Sequence, residues 1–254
     1  MIRSPGVTNP LLGRPFALYD TWHDDSGKPA GIDVVYLVVG RMTGLMSTWT
    51  AGDRVEIWGP LGNGFPAPAA ERLLLVAGGI GNTPFLAVSR GALGKRAYGA
   101  AAHRSAVSAN NSPWSVAARR SQVTFCYGAR SAEYLAGLDD FSELGIDLRI
   151  ATDDGSRGHH GFVTDLVANW ISETAADAGS RAVYCCGPEP MMHRVAKLAA
   201  QSRVSCWLSL ETPMACGFGA CFSCVTRVKQ DDGWDYRRVC VEGPIFPAEQ
   251  LELE

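Results

Sequence analysis

The chain has 254 residues, 46% of them hydrophobic and 19% charged, with a net charge of −3. That balance suits a globular protein with a substantial core, divided into two medium domains or one domain and a small module. No basic run marks a nucleic-acid surface and no stretch approaches the ~18 apolar residues of a membrane span. The opening MIRSPGVTNPLLGR lacks the apolar segment of a secretion signal, so a cytoplasmic, reducing setting is expected.

Residues 1–70 carry short β-type runs, such as GIDVVYLVVG (31–40) and DRVEIWGPLG (53–62), broken by Gly, Pro and Asp. This texture predicts an antiparallel sheet or small barrel rather than helices. Arg14-Pro15-Phe16-Ala17, Val35-Tyr36-Leu37 and Met42-Thr43 place an arginine, aromatic rings and a hydroxyl at the ends of these runs. Such groups can bind a phosphate, stack on a flat ring and hydrogen-bond a polyol chain. Tyr36 in a strand is equally an ordinary core or surface residue.

From 71 to 205 the pattern becomes buried strand, turn, helix, repeated. Strands are predicted over 72–77, 122–127, 147–151 and 182–186, and helices over 84–93 and 191–200. Short aliphatic runs alternating with helices imply a mainly parallel sheet covered on both faces. The first strand runs into Gly78-Gly79-Ile80-Gly81-Asn82-Thr83-Pro84, a turn that lets backbone approach a pyrophosphate and aims a helix N-terminus at it. It is not G-x-G-x-x-G, and a tight strand–helix turn with no ligand explains the same letters. Cys186-Gly187-Pro188 ends the last of these strands, where ligands of open α/β sheets bind. The Cys185–Cys186 pair offers either a thiol lining that site or a buried strand residue. Residues 102–119 lack apolar periodicity and are expected as a surface loop or insertion. His159 and His160 are adjacent, so their side chains diverge and chelate poorly.

The last zone, 206–254, contains Cys216, Cys221 and Cys224 in the run CGFGACFSC, with Cys240 sixteen positions on. The spacing C-x4-C-x2-C…C is that of a [2Fe–2S] cluster on four thiolates. Structural zinc usually takes two separated cysteine knuckles instead. Gly217 and Gly219 suit a loop that wraps a cluster and turns backbone N–H groups toward sulfur. The other cysteines, Cys126, Cys185, Cys186 and Cys206, lie in apolar runs and are expected as buried thiols.

Taken together, RPFA (14–17), GPLGNGF (59–65), GGIGNTP (78–84), YGAR (127–130), ATDDGSRGHHGFVTD (151–165), CGPEPMM (186–192), SLETPMACGFGACFSC (209–224) and RVCVEGPIF (238–246) resemble the ferredoxin–NADP reductase superfamily. More closely, they resemble its electron-transfer subunits of class B dihydroorotate dehydrogenase (the PyrK family). The resemblance implies a multidomain α+β and α/β chain: an abbreviated flavin-binding β-barrel over 1–70, a Rossmann-like NAD-binding parallel-sheet domain over 71–205, and a [2Fe–2S] module over 206–254. It implies FAD at Arg14, Pro15, Phe16, Ala17, Val35, Tyr36, Leu37, Met42 and Thr43. It places NAD at Gly78, Gly79, Gly81, Cys186, Gly187 and Pro188, and the cluster on Cys216, Cys221, Cys224 and Cys240. The implied partner is a catalytic dihydroorotate dehydrogenase subunit, an FMN-carrying TIM barrel, in a heterotetramer with two of each chain. Electrons would pass from it through the cluster and FAD to NAD+, in pyrimidine (UMP) biosynthesis. Glu211 is expected near the flavin or the subunit interface.

Three departures stand out. Ala17 replaces the family's serine, Met42 replaces a glycine before Thr43, and the chain begins where the family's first barrel strands have already passed. They keep two other readings open: a reductase subunit of another NAD(P)H-linked iron–sulfur complex, or a redox-sensing module without FAD.

Overall fold

The computed structural model describes residues 1–98, 121–177 and 179–253. The expected loop over 102–119 lies outside the described residues. Residues 1–70 form β1 (Ile2–Arg3), β2 (Asp20–His23), β3 (Pro29–Asp33), the helix α1 (Arg41–Met46) and β4 (Glu56–Ile57). β1 pairs with β4 and β2 with β3, all antiparallel, and Ile2 also bridges Arg14. The β2–β3 ladder stops at Asp33, whose carbonyl accepts the Tyr19 N–H, so 34–39 forms no strand. Helix α1 corrects the expectation of no helix here. Its first turn is closed by the Thr43 hydroxyl, which accepts the N–H of Val39 at 3.0 Å and of Gly40 at 3.1 Å. A side chain that satisfies these donors replaces the strand ladder as their partner.

The central sheet follows from the aliphatic runs. β5 (Arg72–Gly78), α2 (Phe85–Ala92), β6 (Gln122–Ala129), α3 (Leu138–Ser142), β7 (Asp147–Thr152), β8 (His159–His160), α4 (Val163–Glu173), β9 (Arg181–Cys186), α5 (Glu189–Gln201) and β10 (Ser205–Ser209) succeed one another. The hairpin β11 (Val225–Gln230) and β12 (Gly233–Arg238) precedes the last strand, β13 (Ile245–Pro247). Strand order is β13-β10-β9-β5-β6-β7-β8, with every pair parallel except β10–β13.

β5 shows why the run LLLVA folds this way. Its successive side chains point to opposite faces. Leu73, Leu75 and Ala77 meet Phe85, Leu86 and Phe141 of α2 and α3, while Leu74 and Val76 meet Val167, Trp170, Val195 and Ala199 of α4 and α5. All five β5 residues are 0% exposed, so burial rather than alternation shapes this strand. Each leucine contributes about 1.5–3 kcal/mol by leaving water.

The third zone is not separate from this sheet. The boundary expected at 205/206 falls at the start of β10, which is hydrogen-bonded to β9, and β13 adds the edge beyond it. The first zone is also fastened to the sheet domain. Tyr19 donates its hydroxyl to Asp140 at 2.5 Å. The Asp20 carboxylate, 9% exposed, pairs with Arg90 and with Arg96, the latter at 3.0 Å, and accepts the Tyr98 hydroxyl at 3.1 Å. Among the described residues no helix is long and apolar enough to cross a membrane.

Candidate cluster and nucleotide sites

The chain leaves β5 outward through β6, β7 and β8, then returns to β9 on the other side of β5. Strand order reverses between these two neighbours, and ligands of such sheets bind beyond their carboxyl ends at that point. Gly78-Gly79-Ile80-Gly81 follows β5 there, and Cys186-Gly187-Pro188 follows β9, with Ala77 paired to Cys186. The two turns pack backbone on backbone. A Cβ on Gly81 would overlap the Cys186 carbonyl oxygen; one on Gly78 would lie 2.7 Å from Pro188 Cδ, and one on Gly187 2.8 Å from the Gly78 nitrogen. The glycines are therefore required by turn packing before any ligand is considered. The helix does not open directly on the turn: a 3-10 turn, Gly79–Asn82, intervenes and Pro84 sits at the N-cap of α2.

The two strand cysteines divide. Cys185 is fully buried in the core, whereas Cys186 is half-buried at the crevice. Desolvation pushes the Cys186 thiol up to about 12, against a hydrogen bond from Ser209 that lowers it. It is a neutral thiol in the crevice wall, not a nucleophile. Cys126 and Cys206 are buried as expected, and burial pushes each up to about 12. His159 pairs with Asp165 of α4 at 3.2 Å.

In the C-terminal loop Cys221 is exposed, Cys216 half-buried, and Cys224 and Cys240 buried. Cys216 and Cys221 act on one another electrostatically, and Cys224 acts on Cys240. The Ser223 hydroxyl, 3.1 Å away, and then its N–H bring Cys221 down to about 6. Desolvation raises Cys216, but the N–H groups of Cys221, Phe218 and Ala220 outweigh it and the net shift is downward. Desolvation, with Cys224 as neighbour, pushes Cys240 up to about 12, opposed by the Gly219 N–H. Cys216 and Cys221 are thus prepared to ionise, whereas the buried Cys240 needs the positive charge of a metal to do so. Four cysteines at the spacing C-x4-C-x2-C…C suit a cluster of two irons held by four thiolates. Gly217 and Gly219 have φ of 78° and 86°, and Phe222 joins them at 55°. The loop therefore needs the left-handed conformations that glycine supplies.

In the N-terminal zone the structure brings together Phe16, Tyr36 and Met42. The rings meet edge-on with centroids 5.9 Å apart, beside Ile2 and Met46. Arg14 and Pro15 flank this cluster in sequence, and Arg14 donates to the carbonyls of Leu12 and Gly13. Val35 packs instead toward the sheet, Ala17 and Leu37 are exposed, and the Thr43 hydroxyl is occupied within its own helix turn.

The fastening of the cysteine loop escaped sequence reasoning. Trp58 Nε1 donates to the Cys216 carbonyl at 3.1 Å. Asn63 donates to the carbonyls of Glu242 and Ile245 at 3.0 and 2.8 Å and accepts the Ile245 N–H at 2.9 Å. A Cβ on Gly62 would overlap the Gly243 carbonyl, so GPLGNGF owes its glycine to this approach. The only signal for these contacts was the Gly-Asn-Gly turn itself. Glu211 is exposed, and its charge acts on Cys186.

Comparison with known proteins agrees with this geometry. The profile of the oxidoreductase NAD-binding domain matches residues 75–197, and that of the iron-sulfur cluster binding domain of dihydroorotate dehydrogenase B matches 211–252. The NADH-dependent reduced ferredoxin-NADP oxidoreductase is similar with a TM-score of 0.67 and 24% identity, covering 98% of this chain and 83% of that one. The architecture is that of the ferredoxin–NADP reductase class. The electron transfer subunit of dihydroorotate dehydrogenase B (NAD(+)) from Caldanaerobacter subterraneus is 32% identical over 99% of this chain and 84% of its own. That from Bacillus caldolyticus is 33% identical over the same shares. The chain belongs to this family of dihydroorotate dehydrogenase B electron transfer subunits.

Proposed function

We infer that the chain is the electron-transfer subunit of an NAD-dependent dihydroorotate dehydrogenase, taking electrons from a partner that oxidises dihydroorotate and delivering them to NAD+ in UMP biosynthesis. The observation that carries this is the set of four cysteines, Cys221 exposed, Cys216 half-buried and Cys224 and Cys240 buried, in a C-terminal segment tied both to the N-terminal zone and to the sheet. When bound, the cluster supplies one-electron transfer and FAD supplies the exchange between single electrons and the hydride that NAD+ accepts.

The residues divide the work. Cys216 and Cys221 would hold one iron and Cys224 and Cys240 the other. Gly78, Gly79, Gly81, Cys186, Gly187 and Pro188 would form the floor of the NAD crevice, where Gly79, with open space at its Cβ position, lets phosphates approach the backbone. Phe16 and Tyr36 offer aromatic surface to the flavin, with Pro15, Ala17, Val35, Leu37 and Met42 shaping its apolar contact. Arg14 offers a charge to its pyrophosphate and Thr43 a capped helix start. A flavin-binding barrel over 1–70 is supported by the antiparallel β1–β4 and β2–β3 pairs and the Ile2–Arg14 bridge. Residues 71–205 would bind NAD and 206–254 the cluster, with β10 and β13 shared between them.

An electron transfer subunit works with a catalytic subunit. The finer reading is an FMN-carrying TIM barrel in a heterotetramer of two of each. Phe218 and Phe222, 66% and 60% exposed on either side of Cys221, support a partner docking over the cluster loop.

Visible spectra of anaerobically purified protein test the cofactors: a preparation with neither flavin bands nor broad iron–sulfur absorption would sink the reading. Cys224→Ser in the complex should abolish electron flow from dihydroorotate to NAD+ while NADH oxidation by an artificial dye persists. Survival of both activities would overturn the ligand assignment.

A further inference from the structure

The fourth cysteine sits inside a turn that is locked from its two ends. Arg238 and Glu242 flank Cys240 and form a fork. Glu242 Oε1 accepts Arg238 Nη2 at 2.7 Å, and Oε2 accepts both Nε at 3.2 Å and the Arg238 backbone N–H at 2.8 Å. The Arg238 carbonyl in turn accepts the N–H groups of Val241 and Glu242. The same guanidinium reaches the other side of the cysteine loop. Its Nη1 donates to the Gly219 carbonyl at 3.3 Å, and its plane lies over Phe222, 5.2 Å from the ring centroid.

Gly219 links this fork to the turn that carries Cys240. A Cβ on it would lie 2.7 Å from Val241 and 3.1 Å from Arg238 Nη1. Arg238 therefore holds, by the Gly219 carbonyl, the peptide segment packed against the turn of the buried thiol. Its charge also acts directly on Cys224 and Cys240, the two buried thiols. The fork is only partly solvated, with side-chain exposures of 30% for Arg238 and 24% for Glu242. Screening by water is correspondingly incomplete.

We propose that the Arg238–Glu242 fork is a positioning device that sets the reduction potential of the cluster: Arg238 favours the reduced state by charge and by holding the Gly219 segment against the Cys240 turn, and Glu242 opposes it. Reduction adds one negative charge, so a nearby cation raises the potential and a nearby anion lowers it. The proposal rests on the cluster assignment above and goes beyond it, because neither residue is a ligand.

The test is a redox titration of the purified complex, followed by the electron paramagnetic resonance signal of the reduced cluster. At the wild-type midpoint, Arg238→Gln should lower the reduced-to-oxidised ratio by roughly three- to tenfold, and Glu242→Gln should raise it. Arg238→Lys keeps the charge and should stay near wild type in potential while the signal shape changes. Arg237→Gln, whose side chain is engaged with Asp235 instead, should leave both unchanged. Unchanged potentials in Arg238→Gln and Glu242→Gln, or shifts of the same sign in both, would overturn the proposal. If Arg238→Gln fails to assemble the cluster, the sign seen in Glu242→Gln decides. A wild-type complex with no such signal would instead remove the cluster assignment and this inference with it.

Discussion

The parallel sheet and the cysteine loop are ordered by different means. In the sheet, β5 is held by many interchangeable apolar contacts on both faces, with five consecutive residues at 0% exposure. In the loop, order comes from a few irreplaceable polar groups: Trp58 on the Cys216 carbonyl, Asn63 on the 242–245 backbone, and the Arg238–Glu242 fork. Area gives stability that degrades gradually; single hydrogen-bond donors give position that is lost at once. An electron carrier needs both, since cofactor distances depend on position while the frame beneath depends on area.

The comparison breaks most visibly at the sheet. Leu74→Ala, at a fully buried position on the α4–α5 face, should cost about 2–5 kcal/mol of global stability, read from denaturant unfolding. The cysteine spacing is untouched, so the reduced-cluster signal of whatever remains folded should match wild type. A distorted signal would show that loop and sheet are not separable.

A smaller effect on stability but a larger one on the loop is expected for Asn63→Ala. It removes three hydrogen bonds at once, and the carbonyls and N–H left behind should cost about 1–3 kcal/mol in total because water can reach some of them. Hydrogen exchange should rise at Ile245 and across 238–245 while β5 and β9 keep their protection. Equal loosening of β5 would refute the local role given to Asn63.

The smallest effect concerns the turn after β7. The Ser156 hydroxyl and then its N–H hold the Asp154 carboxyl below its ordinary value of 3.8. The group therefore binds its proton less readily folded than unfolded. Its contribution is full above the unfolded value and disappears as pH falls through the lower, folded one. Asp154→Asn should lower stability slightly at neutral pH and flatten the acid limb, the difference from wild type vanishing as pH falls through the folded value. A difference confined to acid pH would contradict this sign.

How much was legible differs between the same two regions. The predicted strands over 72–77, 122–127, 147–151 and 182–186 lie within β5, β6, β7 and β9, because a short aliphatic run must be buried on both faces wherever it sits. The iron–sulfur domain was legible because metal ligation restricts cysteine spacing, and the matching family covers 211–252. The N-terminal zone was read less well. Its ladder ends at Asp33 and a helix begins at Arg41, since Thr43 caps that turn and no partner strand continues beside 34–39. The roles of Asn63 and Arg238 could not be read at all, as their partners lie 179 and 19 residues away in the chain.

By itself, then, the order of residues determined the buried strands and the glycine turns that follow them, which depend on neighbours within a few positions, and the iron–sulfur character of the C-terminal segment. Only the tertiary structure decided that strand order reverses between β5 and β9, that Cys216 and Cys221 lie outside and Cys224 and Cys240 inside, that Asn63 braces the turn carrying Cys240, and that Arg238 reaches Gly219. These depend on groups distant in sequence meeting at one point, which local preference does not encode and packing does.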